Sequence, residues 1–169
     1  AVEVLQGKEL SFTNLLDLDS AARIVLEFNE PAAAVIKHTN PCGAATGASA
    51  FDAYVRAREA DSLAAFGGIV GLNRPIDVVT ADGITSTFIE AVIAPAIEDG
   101  ARALLAKKAN MRVVVVDFDV LRAATTPEVR SILGAVLVQQ RDVVSEAYSD
   151  WPGPANLQVV SRRHPTDEE

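Results

Sequence analysis

Cysteine is nearly absent from this sequence. Its 169 residues include Cys42 alone, so no disulfide can close within the chain. With only His38 and His164 beside it, a Cys/His zinc cluster cannot be assembled either. Long apolar runs are missing too: the longest, Ala91 to Ile97 and Leu133 to Val138, fall far short of the ~20 residues a bilayer-spanning helix needs. Basic charge is in deficit, with 15 Lys and Arg against 23 Asp and Glu. The resulting net charge of −8 repels phosphate backbones and anionic membranes at long range. Neither nucleic acid nor a membrane is therefore expected as a partner, although a small anion can still be held by local dipoles and cations. No basic start leads into an apolar stretch with a small-residue cleavage site, so cytoplasm is the expected compartment. The chain opens at Ala1-Val2-Glu3 without an initiator Met, and a piece of a larger protein is expected.

What is present is an ordinary globular composition, 49% apolar and 22% charged, with an apolar pattern that switches between helical and extended periods. Leu18, Ala21, Ala22, Val25 and Leu26 recur at helical spacing behind Asp17, which predicts a helix over Asp17 to Phe28 with Asp17 as its N-cap. Ala32 to Ile36 reads as a buried strand, followed by a turn over Thr39 to Gly43. Ser49 can cap a helix that carries Phe51, Tyr54 and Val55 on one face. Gly67 to Leu72 and Phe88 to Ala94 read as strands, the second stopped by Pro95. Ile97, Ala101, Leu104 and Leu105 mark a helix ending in Lys107 and Lys108, cations suited to a helix C-terminus. Arg112 to Asp117, with its four valines, is the clearest strand, and Val129 to Gln140 leans to strand. Strands alternating with helices predict an α/β fold with helices packed on a sheet. From Trp151-Pro152-Gly153-Pro154 onward, residues 151–169 read as a linker.

The chemistry concentrates where Ile36-Lys37-His38-Thr39-Asn40-Pro41-Cys42-Gly43 leaves the apolar strand. Ligands in open α/β sheets bind outside the carboxyl ends of strands, which is where these groups would lie. Adjacent strand residues face opposite ways, so Lys37 and His38 can share a site only if the strand breaks at His38. Pro41 holds Asn40 away from helical backbone and is expected to end the ladder, permitting that break. A solvated strand end with an incidental Lys-His pair is the other reading. Ala64-Ala65-Phe66-Gly67-Gly68-Ile69 offers two glycines whose exposed amides could hold a carboxamide or phosphate; a plain tight turn explains them as well. Glu90, within an apolar run, should face solvent at an edge or meet a polar partner. A thiol nucleophile at Cys42 is disfavoured, because such catalytic groups normally converge from distant positions; a small buried residue is expected there.

Four stretches come in the order and approximate spacing of one known family: Leu5-Gln6-Gly7-Lys8-Glu9-Leu10-Ser11-Phe12-Thr13-Asn14, Lys37 to Gly43, Ala65 to Asn73, and Glu90 to Pro95. Asn110-Met111-Arg112 and Gln139-Gln140-Arg141-Asp142 add to the match. The sequence resembles the transformylase part of the bifunctional purine-biosynthesis enzymes, 5-aminoimidazole-4-carboxamide ribonucleotide (AICAR) formyltransferase/IMP cyclohydrolase, over nearly all of residues 1–169. The resemblance implies a three-layer α/β/α sandwich with a mixed sheet, the first of two cytidine-deaminase-like halves. The deaminase zinc signature is absent, so zinc chemistry is not inherited with that fold and no metal is expected at the site. The resemblance further implies that His38 is a proton acceptor and Lys37 a transition-state stabiliser in formyl transfer from 10-formyltetrahydrofolate. Gly67 and Glu90 would contact AICAR, with Asn40 and Phe66 supporting them from behind. A homodimer is implied as well. The family's Arg-Tyr-Gly-x-Asn-Pro-His-Gln and Lys-Ser-Asn motifs are not in this sequence, so the chain by itself is expected to be inactive. The alternative is a non-catalytic module that binds a nucleotide or dimerises.

Overall fold

The computed structural model describes residues 2–124, 126–142, 159–164 and 166. Residues 1–124 and 125–169 form separate compact units. The first is a six-stranded mixed sheet between two helical layers, in which β1 (Val2–Gln6), β2 (Ala32–Lys37), β3 (Asn40–Thr46), β4 (Ile69–Leu72), β5 (Ala91–Ala94) and β6 (Arg112–Val116) lie in the order β1-β6-β5-β4-β2-β3. β4, β5 and β6 are mutually parallel, while β1 runs antiparallel to β6, β2 to β4, and β3 to β2. This is the three-layer α/β/α arrangement with a mixed sheet.

The two-residue alternation of β2 shows how the layers are filled. Ala32, Ala34 and Ile36 join one buried cluster with Leu18, Ala21 and Val25 of helix α1 (Phe12–Leu26) and with Phe118 of α5 (Phe118–Ala123). Ala33 and Val35 face the opposite cluster, with Tyr54 of α2 (Ala50–Glu59), Ile84 of α3 (Val78–Thr85) and Leu105 of α4 (Asp99–Leu105). A strand buried on both faces has no polar side to show, which is why Ala32–Ile36 is an unbroken apolar run. Helix α1 sits directly on the sheet at Gly71, where a Cβ would come within 2.8 Å of the Ala21 carbonyl oxygen.

Several boundaries differ from the sequence reading. Helix α1 begins five residues before Asp17, because Ser11 caps it in a reciprocal pair: the Ser11 hydroxyl accepts from the Asn14 amide, and the Asn14 side chain accepts from the Ser11 amide. Asp17 is thus a mid-helix residue whose carboxylate is free for another task. The turn expected over Thr39 to Gly43 is only His38-Thr39, since Asn40 already pairs with Lys37. Pro41 does not end the ladder; it pairs with Ile36 inside β3, an edge strand that can spare an amide. Cys42 is the extra residue of the bulge that follows, half-buried in that strand rather than enclosed beyond a turn. β4 and β5 start later than Gly67 and Phe88, and α4 is confined to Asp99–Leu105, short of Ile97 and the two lysines. β1, α3 and α5 are additional elements.

In the second unit, Val129 to Gln140 does form strands, but as a hairpin of β7 (Glu128–Ile132) and β8 (Ala135–Gln139) around Leu133-Gly134, both at positive φ. Most of 151–169, read as a linker, lies outside the described residues.

Asn73 ties α1 to the sheet. Its side-chain oxygen accepts from the Ala32 amide at 2.7 Å, and its side-chain nitrogen donates to the carbonyls of Val25, Phe28 and Glu30. The residue is 9% exposed, so its removal strands a buried amide and several carbonyls, each costing about 1–3 kcal/mol when left unpaired. Asn73→Ala should therefore lower unfolding stability by about 3 kcal/mol in urea titration, with an unchanged slope; a loss under ~1 kcal/mol would show that water replaces the side chain.

Candidate active site

Strand register brings the candidate residues to one edge of the sheet. Ile36 pairs with Ile69, Ile69 with Ala91, and Ala91 with Arg112, so Lys37, Gly68, Glu90 and Met111 occupy the next row outward. The row is held by backbone hydrogen bonds from Glu90 to the Gly68 carbonyl and from Arg112 to the Glu90 carbonyl, both at 3.0 Å. Two strand spacings, about 10 Å, separate the Lys37 and Glu90 columns. Only Lys37 stands at a carboxyl end. Gly67 and Glu90 precede β4 and β5, at the amino ends of parallel strands, because β2 runs antiparallel to them. The carboxyl-end position expected for Lys37 to Gly43 holds for Lys37 and His38, whereas Asn40 to Gly43 already belong to β3.

His38 and Thr39 have φ of 56° and 62°, the left-handed values that a two-residue type I′ hairpin demands at both central positions. Neither residue is Gly or Asn, and each such conformation costs on the order of 1–3 kcal/mol. The strand therefore does break at His38. Polar groups hold the turn from two sides. The Asp17 carboxylate, in a residue 7% exposed, accepts the His38 amide at 3.2 Å and the Thr39 amide at 2.6 Å. The His38 carbonyl accepts from the Thr39 hydroxyl at 2.7 Å and from the Asn40 side chain at 2.9 Å. Hydrogen bonds to a charged acceptor contribute about 1.5–3 kcal/mol apiece, enough to offset the strain. His38 itself is exposed.

The Lys37 ammonium donates to the Phe66 carbonyl at 3.0 Å, joining the hairpin to the Gly67 turn. An ammonium has three donors, so two remain for a ligand. Gly67 has φ of 73°, its amide donates to the Phe88 carbonyl at 2.8 Å, and a Cβ there would lie 3.2 Å from the Phe88 ring. Phe66 and Phe88 pack with ring centres 5.1 Å apart; both are largely exposed, an apolar shelf beside the row. Glu90 is half-exposed and faces Arg112 across 3.7 Å, and Arg112 also donates to the Glu9 carbonyl at 3.0 Å. Of the two expected settings the polar partner is the one observed; β5 is an inner strand between β4 and β6, and Glu90 keeps its exposure by standing just before that strand's first residue.

Glu90 lines a cleft of about 550 Å³ with Lys8, Lys107, Lys108, Asn110 and Arg112, while Phe66 and Phe88 line a hollow of about 360 Å³ that also includes Arg58 and Glu59. Lys37, His38 and Gly67 line neither. The edge is thus an open ledge at Lys37 and His38 and a recess at Glu90. Nothing in the sequence marks the cations of that recess as a cluster, and the Lys107-Lys108 pair has the signature of a helix end only. By sequence Asp17 has the look of a cap, and no local signal shows that its carboxylate reaches the hairpin. Among the described residues no three His, Cys, Asp or Glu side chains stand close enough to hold a metal ion, and no helix is long and apolar enough to cross a membrane.

The sequence profile of the AICARFT/IMPCHase bienzyme family matches residues 1–169. A bifunctional purine biosynthesis protein PurH from Nostoc punctiforme is 50% identical over 170 residues, covering 100% of this chain and 32% of the relative. PurH of Pediococcus pentosaceus is 44% identical over 98% of the chain and 31% of its own length, and that of Anaeromyxobacter dehalogenans 47% over 99% and 32%. The chain spans about a third of the length of the curated relatives it matches.

Burial pushes the Cys42 thiol up, outweighing the nearby Lys37 ammonium, which pulls it down. A raised thiol has less thiolate at neutral pH, and the thiolate is the reactive form. Alkylation of Cys42 by iodoacetamide at pH 7 should run several-fold slower than that of free cysteine and slow further in Lys37→Ala; labelling faster than the free thiol would restore the nucleophile reading.

Proposed function

Since the chain belongs to the AICARFT/IMPCHase bienzyme family, we propose that it forms the first half of a cytoplasmic transformylase region. This region transfers the formyl group of 10-formyltetrahydrofolate to the 5-amino group of AICAR in purine biosynthesis. The observation that supports this reading most is the meeting of Lys37 and His38 at a strained strand end, in one row with the Gly67 turn and Glu90. The folate pocket is completed by the family's second cytidine-deaminase-like half and by a partner subunit, so the isolated chain is inactive.

The chemistry gives each group a task. The AICAR amine is conjugated with its ring and carboxamide and attacks a formyl carbon poorly. His38, as a neutral imidazole, takes the amine proton as the C–N bond forms, which contributes about 10²–10⁴-fold. The carbonyl oxygen of the formyl group becomes an oxyanion, and the free donors of the Lys37 ammonium stabilise it by about 3–4 kcal/mol. On collapse the bond to folate N10 breaks, and the proton held by His38 passes to that nitrogen, leaving tetrahydrofolate and formylated AICAR. Gly67, with no side chain, admits the nucleotide close to the backbone, and the Glu90 carboxylate accepts from its amide or ribose donors. Asn40 acts through the His38 carbonyl, and Phe66 through its carbonyl on Lys37.

In the complete enzyme, His38→Ala should lower formyl-transfer kcat by about 10²–10⁴-fold while the KM for AICAR stays within a few-fold. The cyclohydrolase activity serves as an internal control and should be unchanged. A raised KM with unchanged kcat would make His38 a binding residue and overturn the assignment.

A further inference from the structure

We propose that Asp17 is a positioning residue for the Lys37-His38 pair, acting from the middle of α1 on the hairpin turn; the proposal rests on the catalytic reading of His38. A two-residue type I′ turn is normally written Asn-Gly or Asp-Gly, because both central residues need positive φ. Here the sequence writes His-Thr, and a β-branched residue in the left-handed region is a conformational outlier. Local preference therefore opposes the observed turn, and something outside it must impose the geometry. The Asp17 carboxylate is placed to do so. It accepts both turn amides, at 3.2 and 2.6 Å, from a residue that is itself only 7% exposed. Asp17 is not needed to cap its own helix, since Ser11 and Asn14 do that. On the other side of the turn, the Thr39 hydroxyl and the Asn40 amide bind the His38 carbonyl, so the peptide units on either side of His38 are both fixed.

The consequence is directional. With extended backbone at His38, its side chain would leave the sheet on the face opposite Lys37. Left-handed backbone removes that alternation and lets one ligand meet both groups. Asp17 touches neither substrate nor reacting atoms, so its effect should appear in turnover and pass through His38.

The test uses the complete enzyme with Asp17→Ala, the near-isosteric Asp17→Asn, Asp17→Ala/Thr39→Gly and Asp17→Ala/His38→Ala. Asp17→Ala should lower formyl-transfer kcat by about 10- to 100-fold, the scale of a small misplacement, with KM for AICAR little changed. Asp17→Asn, which keeps an oxygen acceptor but loses the charge, should fall between. Glycine adopts positive φ without penalty, so adding Thr39→Gly should return most of the lost kcat. A loss of fold stability away from the turn predicts no such rescue. In the His38→Ala background, removing Asp17 should cost little more, because the two act as one unit. Full turnover in Asp17→Ala, absence of rescue by glycine, or an undiminished loss in the His38→Ala background would each overturn the proposal. If His38→Ala alone leaves kcat intact, the catalytic reading fails. The clasp is then judged by nuclear magnetic resonance of the 169-residue chain, where the Thr39 amide proton should lie downfield and move upfield in Asp17→Ala; an unmoved signal means that no clasp exists.

Discussion

The first unit depends on β2 being buried on both faces and then leaving the core within two residues. Ala32 to Ile36 packs against α1 below and α2 above, with β3 and β4 along its sides, so no polar atom of the strand can face water until Lys37. The chain must then reverse immediately, because β3 pairs back on β2 from Asn40 onward. A reversal that tight places the polar residues at the strand end where they cannot retreat: the lysine ammonium reaches sideways to the next turn, and the histidine is lifted into solvent on a strained backbone.

The remaining features of the edge follow from how the neighbouring strands meet β2. Because β4 runs antiparallel to β2, its start rather than its end lies beside Lys37, and the Gly67 turn is delivered there. Because β5 runs parallel to β4, its own start follows in the same row, and Glu90 arrives with it. Three segments far apart in sequence thus contribute to one edge through register alone. The Lys37 bond to the Phe66 carbonyl and the Gly67 bond to the Phe88 carbonyl then stitch hairpin, turn and strand entry together. The chain belongs to a family of enzymes with two activities and spans about a third of such a protein, and among the described residues this row is an open ledge that deepens to a recess at Glu90.

How much of this could be read from sequence varied with the kind of signal. The valines of β6 and the apolar run of β2 announced themselves because burial on both faces leaves an unbroken apolar string. Ser49 was a legible cap, and its hydroxyl does accept from the Asp52 amide. The start of helix α1 is obscured because Asp17 looks like a cap; the true signal is the Ser11-to-Asn14 spacing, with Asn in place of the usual Glu or Gln. Helix α3 begins Val78-Val79-Thr80, β-branched residues that read as strand, although Asp77 caps it. β1 is half-exposed at a sheet edge and lacks the apolar density of the inner strands. The candidate residues could be picked out by type, but the clasp could not: a carboxylate on α1 and two amides about twenty positions later leave no local trace. Nor does His-Thr look like a tight turn.

The central claim is that this sheet edge receives AICAR. A crystal structure of the complete enzyme with AICAR bound tests it most directly. The nucleotide should lie along the row from Lys37 to Glu90, with its amine within about 2.6–3.2 Å of a His38 ring nitrogen and the Gly67 backbone against the ligand. Nucleotide bound elsewhere, with this edge bare, would contradict the account.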